Sequence, residues 1–174
     1  RDYYLNIVSQ EIRRLSRLVQ SMLSMSKLES GEDALKYSNF KISDTILNIV
    51  LSMEQAISSK NIDIFGLDEL SETNVYGDRD LLHQVFYNLT DNAVKFTETH
   101  GEIYVSLKKQ NNEFIIKVKD TGCGMDKETG IHIFDKFYQG DTSRSSEGNG
   151  LGLALVKKVI DVLGGSISVE SEKF

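Results

Sequence analysis

With 174 residues, 40% of them apolar, the chain is long enough for one compact domain plus an appendage and apolar enough to build a real core. A net charge of −6 argues against a general nucleic-acid surface, which needs basic patches, and the single cysteine, Cys123, excludes both an internal disulfide and a cysteine-built zinc site. No run approaches the ~18 apolar residues of a membrane span and no signal peptide opens the chain, so a soluble piece in a reducing, cytoplasmic compartment is expected.

The first residue is an arginine rather than an initiator methionine, so the chain reads as a fragment, and a parent protein is free to carry a membrane anchor elsewhere. Over residues 3–28, Leu5, Val8, Ile12, Leu15, Val19 and Met22 recur by three and four, a heptad seam that Leu18, Met25 and Leu28 widen toward its end. One helix of about seven turns cannot bury such a seam alone. Either it pairs in a dimer or bundle, or it folds back on its own domain. Gly31 is the expected C-terminal cap, with Lys27 in the last turn suiting the helix dipole. After a polar turn at 30–33, residues 37–42 alternate like a strand, and Ser43-Asp44 is expected to cap a second helix through about residue 58. Short strands are expected at 62–65 and 74–76.

The stretch 78–97, D-R-D-L-L-H-Q-V-F-Y-N-L-T-D-N-A-V-K-F-T, organises the rest. Asp78 is the expected N-cap and Asp80 adds negative charge to the first turn of a helix reaching Phe96. At about 100° per residue, Leu82, Val85, Phe86, Leu89, Ala93 and Phe96 share one side. Asn88, Asn92 and Lys95 form a narrow polar arc bordering that stripe, and His83 points nearly the opposite way. Amides are uncharged oxygen donors for a hard cation such as Mg2+, and a lysine on the same face can neutralise a phosphate oxygen. An ordinary amphipathic helix whose polar edge happens to hold Asn and Lys is the plainer alternative.

Ile103, Val105 and Leu107 alternate, residues 109–112 make a turn, and Phe114, Ile116 and Val118 alternate again: an antiparallel hairpin with one buried face. The same parity aims Asp120 inward at a strand end. There it either accepts from the amides of Thr121 and Gly122 in a local turn, or awaits a ligand donor such as the exocyclic amine of adenine, a position where guanine carries an acceptor. Seven of the 13 glycines lie between Gly122 and Gly152. Residues 125–130 read as a helical turn, 131–138 as an amphipathic segment carrying Ile133, Phe134 and Phe137, and the polar stretch 139–149 as a mobile lid. G-N-G-L-G-L-A-L at 148–155 opens a helix to about Leu163. Backbone amides there can approach phosphates, although the glycine pattern alone is weak. Gly164-Gly165 stops that helix, and Ile167 and Val169 begin a strand.

Four blocks, N-L-T-D-N-A-V-K-F-T at 88–97, D-T-G-C-G-M at 120–125, I-F-D-K-F-Y-Q at 133–139 and G-N-G-L-G-L-A-L at 148–155, together resemble the ATP-binding catalytic domain of two-component sensor histidine kinases, within the gyrase, Hsp90 and MutL-type ATPase superfamily. The resemblance implies an α+β fold of Bergerat type, a two-layer α/β sandwich with a mixed sheet and a helical layer, preceded by the long N-terminal helix. It implies ATP and Mg2+ as ligands, with Asn92 the main metal ligand and Lys95 on phosphate. Asn88 stands where the superfamily's ATPases keep a catalytic glutamate, which favours phosphotransfer over hydrolysis because no carboxylate activates water. Asp120 would meet the adenine amine, and Gly122 and Gly124 would line the base pocket and hinge the lid. Gly148, Gly150, Leu151 and Gly152 would lie along the phosphates, with Arg144 as a further phosphate contact or a solvated side chain. Phe96, Phe134 and Phe137 would pack rather than touch ligand.

In this family the terminal phosphate passes to a histidine on the first helix of a two-helix dimerisation hairpin, then to an aspartate of a response-regulator receiver domain. Residues 1–31 resemble the second helix of that hairpin and 32–174 the catalytic domain. The first helix is missing, and none of His83, His100 and His132 lies in a phosphoacceptor motif, so this chain alone is expected to bind Mg-ATP without phosphorylating itself. The family also usually adds a strand after the one containing Val169. Other readings are a nucleotide-binding signalling module without phosphotransfer, and an anti-sigma-factor-type serine kinase, which the heptad helix disfavours. A gyrase- or chaperone-like ATPase is disfavoured by Asn88.

Overall fold

The computed structural model describes residues 2–31, 34–70, 73–111, 113–140 and 150–172, which divide into two units. One unit comprises residues 35–126 with 168–174, the other residues 1–34 with 127–167.

In the first of these, the alternating strand patterns give two sheets. β1 (Tyr37–Lys41) pairs antiparallel with β3 (Asn74–Asp78), from Tyr37 opposite Asp78 to Lys41 opposite Asn74. β2 (Asp63–Phe65) runs parallel to β4 (Glu102–Gln110), which pairs antiparallel with β5 (Glu113–Asp120), so this three-stranded sheet is mixed. The expected hairpin holds, with its turn tightened to two residues between Gln110 and Glu113. Along β4 the period of two is clean: Ile103, Val105 and Leu107 are buried, while Tyr104 and Lys108 face out. The buried face joins α2 (Ile42–Ser52) and α4 (Arg79–Phe96) in one core of Ile42, Ile46, Ile49, Phe86, Ala93, Val94 and the three β4 residues. Helices against a mixed sheet make the two-layer α+β arrangement. Each of the larger aliphatic or aromatic side chains contributes about 1.5–3 kcal/mol by leaving water.

Three expectations are corrected. Helix α2 starts at Ile42, so Ser43 and Asp44 lie inside its first turn rather than capping it. β1 runs straight into the helix, Lys41 takes the extended N-cap position without a side-chain cap, and the Ile42 amide donates to the Thr73 carbonyl. The helix also breaks at Met53, where the amide turns back to the Val50 carbonyl and the side chain is buried, before the short α3 (Glu54–Ser59). The strand expected around Ile167 and Val169 does not form among the described residues: 166–172 carry no strand pairing, and Val169 is exposed. The segment is tied instead by a bond from the Met125 amide to Ser171 Oγ.

In the other unit, the heptad stretch forms one helix, α1 (Asp2–Ser30), ended at Gly31, whose amide donates to the Lys27 carbonyl. It packs on α6 (Gly152–Val162), where Ala154, Leu155, Val156 and Val159 are buried; α6 ends at Gly164 and Gly165, bonded back to Asp161 and Ile160. α5 (Lys127–His132) is a helix of six residues. Beyond it Ile133 and Phe134 are half-buried, but Phe137, expected to pack, is 58% exposed because a left-handed backbone (φ +63°) turns it outward. Lys136 pairs with Glu29 of α1 and holds that carboxyl below its ordinary pKa. Among the described residues, no helix is long and apolar enough to cross a membrane.

Candidate functional site

Helix α4 is fixed at its start by Asp78. Its Oδ1 accepts from the amides of Asp80 (3.1 Å) and Leu81 (3.2 Å), and its Oδ2 accepts from the amide of Lys36 (2.8 Å). This cap, itself buried, satisfies orphan donors of the first turn and ties the helix to the strand ribbon. The rotation so imposed buries Val85, Phe86 and Ala93 and leaves Asn88, Asn92 and Lys95 half-buried along one edge. Thr90 and Val94 are buried as well, so the stripe is wider than the sequence pattern indicated. Asn88 Nδ2 donates to the Gln84 carbonyl at 2.8 Å, which holds the amide against its own helix. Lys95 Nζ lies 3.7 Å from Asp91 one turn earlier. His83 is exposed and stacks on Tyr87, away from this edge.

Asp120 ends β5 opposite the fully buried Ile103, hence on the sheet face that α4 packs against. Asp120 is nevertheless exposed. Its Oδ1 accepts from the Gly122 amide at 2.9 Å. Thr121, the other donor foreseen for a local turn, donates instead to the Glu102 carbonyl. Gly122 is buried against the end of α4: a Cβ here would sit 2.5 Å from the Phe96 carbonyl oxygen and 2.7 Å from Asp120 Oδ1. The C-terminal end of α4, the helix that carries the polar arc, therefore meets the Asp120 turn at the Phe96–Gly122 contact. Gly124 follows with φ +65°.

In the other unit, Gly150 has φ +66°, and a Cβ would lie 2.7 Å from the backbone of Phe137 and Tyr138, while its carbonyl accepts from the Phe137 amide. Leu151, which is buried, holds the N-cap position of α6 without a side-chain cap, and Gly152 opens the helix, so its first amides carry the positive end of the dipole. Gly148 and Arg144, like the rest of 141–149, lie outside the described residues. Among the described residues no cluster of three or more His, Cys, Asp or Glu could hold a metal by itself. A half-buried arc of two amides and an ammonium fits a cation that keeps water and is brought by phosphates, as Mg2+ commonly is. One residue escaped the sequence reading: Lys60 directs its ammonium at the C-terminal carbonyls of α4. In sequence it is an ordinary lysine in a turn, and no local spacing signals its target.

Residues 77–173 match the family model for histidine kinase-, DNA gyrase B- and HSP90-like ATPases. The heme sensor protein HssS of Staphylococcus saprophyticus is 30% identical over 173 residues, which are 99% of this chain and 37% of that protein. The chain thus spans little more than a third of that relative. Among solved structures, the histidine kinase AdeS of Acinetobacter baumannii superposes with a TM-score of 0.82 at 25% identity, over 97% of this chain and 78% of that one. Full-length ShkA in complex with AMPPNP gives 0.82 at 25% identity, over 98% of this chain and 35% of its own.

Proposed function

Since the chain belongs to the family of histidine kinase-, DNA gyrase B- and HSP90-like ATPases, we propose that it is the ATP-binding catalytic part of a two-component sensor histidine kinase. It binds Mg-ATP, and in a longer parent protein the γ-phosphate passes to a histidine and then to an aspartate of a response-regulator receiver domain. The observation that carries this reading is the contact of the end of α4, the helix bearing Asn88, Asn92 and Lys95, with the Asp120–Gly122 turn through the Phe96 carbonyl.

The roles follow from donor chemistry. Asn92 offers an amide oxygen to Mg2+, which when bound neutralises phosphate charge. Lys95, half-buried with its ammonium 3.7 Å from Asp91, brings a positive charge to the arc that suits a phosphate oxygen. Asn88, an amide held by Gln84, orients without acting as a base, so water is left unactivated. Asp120 accepts from the adenine amine, Gly122 and Gly124 line the base, and the amides of Gly148, Gly150, Leu151 and Gly152 approach phosphate. Residues 1–31 serve as the second helix of a dimerisation hairpin and 32–174 as the catalytic domain. The homodimer is supported by the α1 seam, in which Leu5, Val8, Ile12, Leu15, Val19 and Met22 are all exposed.

Calorimetric titration of ATP and GTP with Mg2+ tests the reading. The chain is expected to prefer ATP. Asp120→Ala is expected to remove that preference, and Asn92→Ala to weaken mainly the metal-dependent part. Absence of nucleotide binding overturns the function, and equal ATP and GTP affinity in the unaltered chain overturns the role of Asp120.

A further inference from the structure

We infer that Lys60 is a positioning residue for the nucleotide site, setting the end of α4 against the turn that carries Asp120. The inference rests on the nucleotide-binding reading above and adds a residue outside the four sequence blocks.

A helix leaves its last carbonyls without partners, and most helices resolve this with a glycine or with water. α4 does neither. Thr97 leaves it in extended conformation (φ −75°, ψ 129°), and its amide serves only the Ala93 carbonyl. The carbonyls of Val94, Lys95 and Thr97 are taken by a single group, the Lys60 ammonium, at 2.8, 2.8 and 2.9 Å. All three ammonium protons are thereby used, at the negative end of the helix dipole. The Lys60 backbone holds the same stretch from the other side, its carbonyl accepting from the His100 amide at 2.9 Å, while the Asp63 amide donates to the Gly101 carbonyl at 3.0 Å. Residues 94–101 are thus clasped by residues 60–63, and Thr97 inside the clasp is 1% exposed.

Between the bonded carbonyls of Lys95 and Thr97 lies that of Phe96, the atom on which Gly122 rests. Gly122 in turn donates to Asp120 Oδ1, and the Thr121 hydroxyl accepts from the Glu102 amide at 2.9 Å. A short chain of contacts therefore leads from Lys60 through the Phe96–Thr97 corner to the carboxylate proposed to read the base, and passes the last turn of the helix that carries Asn92 and Lys95. Without the ammonium, three carbonyls would compete for other donors and the corner would be free to shift. A helix cap that served stability alone would lower the melting temperature and leave ligand discrimination by the folded protein untouched.

The test is titration of the 174-residue chain, Lys60→Met and Lys60→Arg with Mg-ATP and Mg-GTP, at a temperature where the far-ultraviolet circular dichroism of each variant matches the unaltered chain. Lys60→Met is expected to weaken ATP about tenfold, the scale of losing an outer support of a ligand site, and to narrow the ATP-to-GTP ratio. Lys60→Arg keeps the charge but cannot aim three protons from one atom, and is expected to fall between the two. ATP affinity and ratio in folded Lys60→Met within twofold of the unaltered chain overturn the inference. Should Lys60→Met fail to fold, Lys60→Arg decides: a narrowed ratio supports the positioning role, and an unchanged ratio overturns it. If the unaltered chain binds no nucleotide, the parent reading fails and this one with it.

Discussion

Several single residues in this protein act through backbone atoms rather than through other side chains. Asp78 caps α4 by taking two amides of its first turn, Lys60 serves three carbonyls of its end, and Gly122 is required because a backbone oxygen occupies the space of a Cβ. Gly122→Ala must move either the Phe96 carbonyl or the Asp120 turn, since the neighbour at 2.5 Å is a backbone oxygen and cannot rotate away. Urea denaturation is expected to show a loss of about 1–3 kcal/mol, the usual cost of overpacking. Calorimetry should show weakened ATP binding in the same variant. Unaltered stability and affinity together would mean that the corner yields freely.

At the scale of elements, α4 and α1 are opposite cases. α4 has a wide buried stripe, is pinned at both ends, and owes its geometry to the unit around it. α1 runs for 29 residues with its seam largely uncovered, the state of a helix that has packed one end and still has apolar surface to bury. Ile12 and Leu15 are 62% and 60% exposed, so lysine at either position costs this chain little. In a parent protein that dimerises through this helix, Ile12→Lys is expected to convert dimer to monomer in sedimentation velocity with the ATP affinity of the catalytic part unchanged. A persistent dimer would assign the seam to some other contact. The hairpin β4–β5 behaved as its alternation demands, whereas the segment around Val169 did not, because alternation states which face a strand would bury but supplies no neighbour to pair with.

For the whole molecule, the placement of the three histidines bears on phosphotransfer. His83 stacks on Tyr87 on the outer face of α4, His100 sits in a loop at φ +64°, and His132 Nδ1 is 2.7 Å from Asp135 at the end of α5. Incubating the 174-residue chain with labelled ATP is therefore expected to leave no acid-labile, alkali-stable phosphate on it; such a label would overturn the expectation that the phosphoacceptor lies elsewhere. The amino-acid sequence alone determined the helix around Asn88, Asn92 and Lys95, its Asp78 cap, the hairpin ending at Asp120, the long heptad helix and the glycine stops. These depend on local periodicity and on turn chemistry within a few residues, both written along the chain. Tertiary structure decided that α2 begins without its serine cap and breaks at Met53, that Asp120 is exposed and bonded to Gly122 alone of its two foreseen donors, and that Lys60 reaches α4 across more than thirty residues. Each of these depends on which backbone atoms are brought within bonding distance by packing, and that is a property of the folded core rather than of any stretch of letters.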